Sequence, residues 1–367
     1  MTLNKISIAQ AIPLIFIITI NRLSVNIPQS ILIPYGSSSI LNMIYICIIA
    51  IIFTLFIVKL FQKFPNCDIV DVSEFLGGKV LRNIVGLVIV TQIVLVSSNL
   101  LRDFVDMLHI IYYSDTPIIF ILAFFVIVGI ISNTLGGDSI IKTNVIISSL
   151  MIVSLLVSFI SVIPNITIQR ALPLLGYGSY KTFVSGISNI FAFNGLSILY
   201  LVPSMMDNHQ NYKKASIIAT IISCILLVLA TASSLLSFSF STVIEKVSPL
   251  YMLLSNNEFG KYLQHPESIF VFTWILSFMS YINIGCMLSS QILKKLTSVN
   301  NSKPFAWLYC AALFLAAILP KSLMQTRDIG TFLSKYISIP IVFLIFPFIL
   351  LIANLKHKTN KNNNYDT

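Results

Sequence analysis

Long apolar runs, separated by short polar stretches, dominate the chain from residue 6 to residue 354. A bilayer core of roughly 30 Å needs about 20 apolar residues in a helix. Ten runs meet that test, at 6–33, 39–61, 84–112, 117–132, 139–163, 183–203, 215–239, 268–293, 304–320 and 330–354. The pattern therefore predicts an all-α membrane protein of about ten transmembrane helices. The first run is unusual. As one helix it would be about 42 Å long at 1.5 Å per residue, and its middle holds Asn21, Arg22, Ser24 and Asn26 before Pro28. The sixth run has the same feature, with Asn194, Gly195 and Ser197 inside it and Pro203 after it.

Asn21 and Asn194 are 173 residues apart, close to half the length of the 367-residue chain. A polar-interrupted helix opening each five-helix half is the sequence sign of an inverted repeat whose broken helices meet at the membrane midplane. The expected organisation is one transmembrane domain over 1–355, with half-repeats at about 6–163 and 183–354, and a polar tail over 356–367. The end of that tail, NKNNNYDT, reads as disordered. In the loop after the second run, DVSEFLGG (71–78) reads as a short helix stopped by Gly77 and Gly78.

Composition supports the membrane assignment. Hydrophobic residues make up 56% of the chain and charged residues 10%, and mean hydropathy is +0.91; soluble chains carry about a quarter charged residues. With the N-terminus inside, fourteen of the 23 lysines and arginines fall on the inner side and seven on the outer; Arg22 and Arg102 lie within spans. This bias places both termini in the cytoplasm. The basic residues form no soluble patch, which argues against nucleic acid. Cys47, Cys67, Cys224, Cys286 and Cys310 read as free thiols, four of them in apolar segments. Nothing after the first run resembles a signal-peptide cleavage site, so that segment is expected to be retained.

The polar residues inside the spans carry the candidate chemistry. A broken helix leaves amide and carbonyl groups that lipid cannot satisfy, and they persist only against protein, water or ligand. Free amides favour a carboxylate and free carbonyls an ammonium, so a zwitterionic amino acid suits such a gap. Arg22 is either a carboxylate-binding group, a fixed cation standing in for a coupling ion, or one half of an ion pair with Asp103 or Asp106. Gly195 either admits a ligand to the backbone or allows close helix packing. Gln92, Ser97, Ser98 and Asn99 on the third span, and Ser277, Ser280, Tyr281 and Asn283 on the eighth, either line a central cavity or bond between helices. Arg102 and Asp106, four apart, are expected to pair at the membrane interface. His109, His209, His265 and His357 are scattered; no catalytic motif, metal spacing or cofactor signature stands out.

Several stretches together resemble the B subunit of bacterial spore germinant receptors, within the amino acid–polyamine–organocation superfamily. They are the first span broken before Pro28, SEFLGG, NLLRDFVDML (99–108) with Thr116–Pro117, and above all FAFNGLSILYLVP followed by SMMDNHQNYKKAS. The resemblance covers about 5–355. It implies a LeuT-like 5+5 fold with helices 1 and 6 broken, in the inner membrane of the spore. It further implies sensing of a small germinant, such as an amino acid, together with a larger A-type subunit and a lipoprotein C-type subunit; an amino-acid permease is the alternative. By position, the ligand cleft would fall at Ile20–Ser24 and Phe193–Ser197, with Gln92 and Val96 facing it. The ligand-binding set is thus Asn21, Arg22, Ser24, Gln92, Val96, Phe193, Asn194, Gly195, Ser197, Tyr281 and Asn283. Relatives usually have a glycine-rich first break and often a glutamate where this chain has Ser197. An arginine gained and a glutamate absent imply a more positive pocket.

Overall fold

The computed structural model describes residues 5–25, 27–238, 251–252, 255, 266–299, 301 and 303–363; within these, the side chains of 22–25, 27–29, 165, 266 and 359–363 lie outside the description. The described residues are helical nearly throughout. Eight helical stretches are long and apolar enough to span a membrane, and two shorter apolar helices, Ile8–Asn21 and Lys303–Ile318, match the first and ninth predicted spans.

The first span is two helices, α1 (Ile8–Val25) and α2 (Ile27–Tyr35). Asn26, between them, lies outside the described residues. Pro28 falls in the first turn of α2, where a helix does not need that amide. The next helices are α3 (Ser39–Phe61), α4 (Ile69–Ile111), α5 (Ile118–Leu135) and α6 (Gly137–Val162). Within α4, Gly77 and Gly78 leave helical geometry, Gly78 at φ 67°, which separates a short helix over 69–76 from the long span as expected. Asp68 starts that short helix. Its carboxylate accepts from the Val70 and Asp71 amides, and Asp71 reciprocates on the Asp68 amide, so three amide donors are satisfied.

The sixth span is irregular. It begins with a π turn over Tyr180–Val184, runs in 3₁₀ geometry over Ser185–Tyr200, and leaves helical φ/ψ at Phe193 (−102°, 19°). Long 3₁₀ stretches are strained and commonly mark hinges or sites. Beyond it lie α7 (His209–Ser237), α8 (Pro266–Thr297) and α9 (Lys303–Ile318). The last span is α10 (Leu323–Phe332), two π turns at Leu333–Ser338 and Pro340–Ile345, and α11 (Phe346–Asn363). Helix therefore runs through 360–363, where the sequence reads as disordered. Lys356 anchors α11 by donating to the Phe75 and Leu76 carbonyls, and lysines suit a helix C-terminus.

Helix α1 is the centre of the protein. Leu14, Ile15, Phe16, Ile17, Thr19, Ile20 and Asn21 are all buried, as befits a helix apolar on every side. It packs against α6, α7, α8 and the sixth span. Polar side chains hold the irregular backbone where regular hydrogen bonding fails. Asn42 donates to the Thr182 carbonyl at 2.7 Å and accepts from Asn189 at 2.6 Å. Tyr212 donates to the Leu199 carbonyl, and Tyr200 to the Val342 carbonyl in the second π turn. The five cysteines are free thiols, Cys67 half-buried and the others buried.

Candidate ligand site at the helix breaks

A central cavity of about 50 Å³ lies where α1, α4, the sixth span, α8 and the last span converge. Gln92, Val96, Asn194, Gly195, Ser197 and Tyr281 line it, all from the expected set. Asn194 is the most telling. It is buried, it follows the Phe193 break directly, and among the described residues neither its amide nitrogen nor its oxygen has a hydrogen-bond partner. An unsatisfied buried amide costs about 1–3 kcal/mol, and such groups in native proteins call for a role. Ser338, in the first π turn, is also buried, unpartnered and in the wall.

Apolar side chains complete the wall, chiefly Ile18, Ile89, Ile198, Leu201, Leu288 and Phe346. Nothing in the sequence singles these out, because each is one apolar residue among many in its span. Ser338 carries a faint signal, as a serine two residues before Pro340 in an apolar run. Tyr281 is the sole ionisable side chain among the described lining residues. The expected positive character rests on Arg22, whose side chain, like that of Ser24, lies outside the described residues.

Three other expected residues are placed away from the cavity. Asn21 is fully buried and already bonded: it donates to the Ile17 carbonyl at 2.8 Å and accepts from the Ser277 hydroxyl at 3.0 Å. Its job in this structure is to tie α1 to α8. Phe193 is fully buried at the break. Asn283 turns toward α5, its oxygen 3.8 Å from where a Cβ on Gly129 would stand. Gly195 sits where the two broken spans meet. It lines the cavity, and its missing side chain lets the sixth span meet the α1 backbone, where a Cβ would come 2.4 Å from the Ile18 carbonyl oxygen.

On one side the cavity ends at Leu201 and Leu288, which also line a smaller cavity holding Asp68, Ser204, Gln291 and Lys295. There the Lys295 ammonium bonds both Asp68 and Asp71. Lys5 bonds the Ser204 and Met206 carbonyls beside them. Burial pushes the Asp68 carboxyl above the ordinary carboxylate range, against the pull of Lys295. On the other side, Arg102 and Asp106 pair at 2.8 Å. The pair forms as expected and is buried within the bundle, where Arg102 also donates to the Ala317 carbonyl and Asp106 accepts from Thr326. Asp103 faces Arg327 at 3.5 Å. Both carboxylates considered for Arg22 thus face arginines of their own, Arg102 near the C-terminal end of α4 and Arg327 in α10.

The fold has close solved counterparts. A crystal structure of MhsT in complex with L-phenylalanine superposes with a TM-score of 0.70 at 14% identity, covering 97% of this chain and 99% of the other. A closed structure of Mhp1, a nucleobase-cation-symport-1 family transporter with bromovinylhydantoin bound, gives 0.61 at 12% identity, covering 89% and 74%. These are LeuT-fold transporters, and the LeuT-like fold expected for this chain is what the structure has. In sequence, the chain is 21% identical over 310 residues to spore germination protein YndE of Bacillus subtilis (strain 168), covering 81% of this chain and 84% of that one. It is 19% identical over 296 residues to spore germination protein KB of the same organism, covering 80% and 78%. Residues 5–328 match the family described as Spore germination protein. The chain belongs to that family, the spore germination proteins with a permease-like membrane domain.

Proposed function

We propose that this chain is the nutrient-sensing membrane subunit of a spore germination receptor, and that it binds a small zwitterion such as an amino acid at the central cavity. The observation that carries the reading is Asn194, a buried amide beside a helix break whose two hydrogen-bonding ends have no partner among the described residues. The cavity needs a ligand that offers a donor and an acceptor to that amide. A volume near 50 Å³ fits a few heavy atoms, so the side chain of the ligand is small or the walls move to admit it. The solved counterpart that holds L-phenylalanine supports an amino acid as the class. Arg22 and Ser24 remain part of the proposed cleft by their position in the family pattern.

In this reading the ligand shifts α1 against the sixth span, and the change is passed to an A-type subunit and a lipoprotein C-type subunit in the inner membrane of the spore, both termini in the cytoplasm. The test uses spores that carry Asn194→Leu in place of wild type. The expected result is loss of the response to one nutrient with the protein still present in the membrane. An unchanged response to every nutrient would overturn the reading.

A second reading, an amino-acid permease of the same fold, is favoured by one feature. The small polar cavity at Lys295 shares Leu201 and Leu288 with the central one, a layout that suits an inward exit. Accumulation of radiolabelled amino acid by proteoliposomes containing this chain alone separates the two. A sensor gives none, and a permease gives uptake that Asn194→Leu abolishes.

A further inference from the structure

The largest cavity near the lysine-rich face, about 530 Å³, lies apart from the central site, between the α5–α6 turn and the facing ends of α8 and α9. Lys294 and Lys303 line it, and the described residues give neither ammonium an ion pair. The adjacent Lys295 makes the contrast: one residue further along α8, it is committed to Asp68 and Asp71. Helix α6 begins in the cavity wall at Gly137. Its N-cap, Gly136, sits at φ 101° and supplies no side-chain cap. The positive end of a 26-residue helix therefore adds to the two lysines. Ser290, buried at 4% exposure, also lines the cavity, its hydroxyl beside the Cys286 thiol. Asp138, in the first turn of α6, is the one acidic side chain in the wall, and it has an interaction of its own. Two ammonium groups and a helix N-terminus outweigh a single carboxylate.

We infer that this cavity is a phosphate-binding site, and that the phosphate is the headgroup of an anionic phospholipid. The apolar rim favours the lipid source. Leu135 forms one edge of the cavity and is 68% exposed. Trp307 and Leu308, near the start of α9, are each 58% exposed. A tryptophan at that level marks the headgroup region, and the apolar surface beside it accommodates acyl chains. Basic pockets between transmembrane helices take lipid phosphates in this way.

Native mass spectrometry and lysine acetylation of the purified full chain test the site. Phosphatidylglycerol, phosphatidylcholine and inorganic phosphate are the probes. The variants are Lys294→Gln with Lys303→Gln, and, as a control on the same face, Lys213→Gln with Lys214→Gln. The expected result is preferential retention of phosphatidylglycerol, with protection of Lys294 and Lys303 from acetylation. Retention falls about thirtyfold in the site variant, as the loss of two lysines at an anionic surface predicts, and is unchanged in the control. Protection by inorganic phosphate without phosphatidylglycerol keeps the phosphate chemistry and assigns it to a soluble ligand. Protection by neither probe, or equal loss in the control variant, overturns the inference.

Discussion

Gly195 of the sixth span rests directly on the backbone of α1 at Ile18: a Cβ added there would lie 2.4 Å from the Ile18 carbonyl oxygen and 2.6 Å from the Thr19 Cα. The obstacle is main chain rather than a flexible side-chain end. Gly195→Ala must therefore push the two broken spans apart. Overpacking of this kind costs about 1–3 kcal/mol, so a lower melting temperature in detergent is expected, together with weakened ligand response. An unshifted melt would show that α1 yields at no cost.

Asn194 carries the opposite expectation for stability. Its amide is buried without partners, so replacing it with an apolar group of similar size removes an unsatisfied group and breaks no bond. Asn194→Leu should melt at or above the wild-type temperature and lose ligand-induced stabilisation. A thermal-shift screen of amino acids on both proteins checks this. A variant that melts lower but still responds to ligand would place Asn194 in the scaffold instead.

Asn21 and Ser277 form a bond between α1 and α8 at 3.0 Å. Ser277→Ala leaves the Asn21 oxygen without its hydroxyl donor. Interhelical hydrogen bonds in membranes average about 0.6 kcal/mol. A double-mutant cycle with Asn21→Leu should return coupling of about that size. Ligand affinity of the folded Ser277→Ala protein should stay near wild type, because Ser277 does not line the cavity. Large loss of affinity with no loss of stability would contradict the structural role.

The Arg102–Asp106 pair is buried on both sides, at 7% and 4% side-chain exposure. Removing one partner strands a charge in the bundle, at a cost of about 3–5 kcal/mol. Arg102→Gln should reduce the amount of folded protein recovered from membranes, and adding Asp106→Asn should restore part of it. Equal recovery of the single and double variants would show that the two charges are not coupled.

Asp68 gives a pH dependence. Burial raises its carboxyl pKa above the ordinary value, more than Lys295 lowers it. The folded state therefore holds this proton more tightly than the unfolded one. The resulting stability is present at acid pH and is lost as pH rises through the folded value. As pH falls, Asp68 takes up its proton earlier than an exposed carboxyl and releases its hold on Lys295. Acetylation of Lys295 at constant reagent exposure, corrected for the reagent's own pH profile with Lys213, should report that release. Asp68→Asn, which leaves Lys295 held by Asp71 alone, should raise its reactivity at neutral pH and flatten its profile, and an unchanged profile would contradict the assignment.

Much of this architecture was legible from local pattern. Span number and position follow from hydrophobic run length, and the stop at Gly77 and Gly78 follows from backbone freedom at glycine. Arg102 with Asp106 follows from the four-residue repeat of a helix, although their burial does not, since Ala317 and Thr326 reach them from other helices. The interruption of the first and sixth spans shows as polar residues where lipid tolerates none. Six of the eleven expected ligand residues line the cavity, because a polar side chain inside a span must face something other than lipid.

Tertiary structure decided the rest. Asn21 and Asn194 are equivalent in the sequence, each a polar residue in an interrupted span. Yet Asn21 is spent on a helix 256 residues away in the chain, and Asn194 has no partner among the described residues. Apposition of α1 with α8, and of the sixth span with α1, sets that difference, and no local pattern encodes it. The same holds for the apolar wall at Leu201, Leu288 and Phe346, and for the separation of Lys294 from Lys295 into two different cavities. By itself the sequence determined which residues avoid lipid, through hydropathy and helical period. Only the packed structure determined which of them bond each other and which remain available to a ligand, because hydrogen-bond partners are chosen by distance in space rather than along the chain.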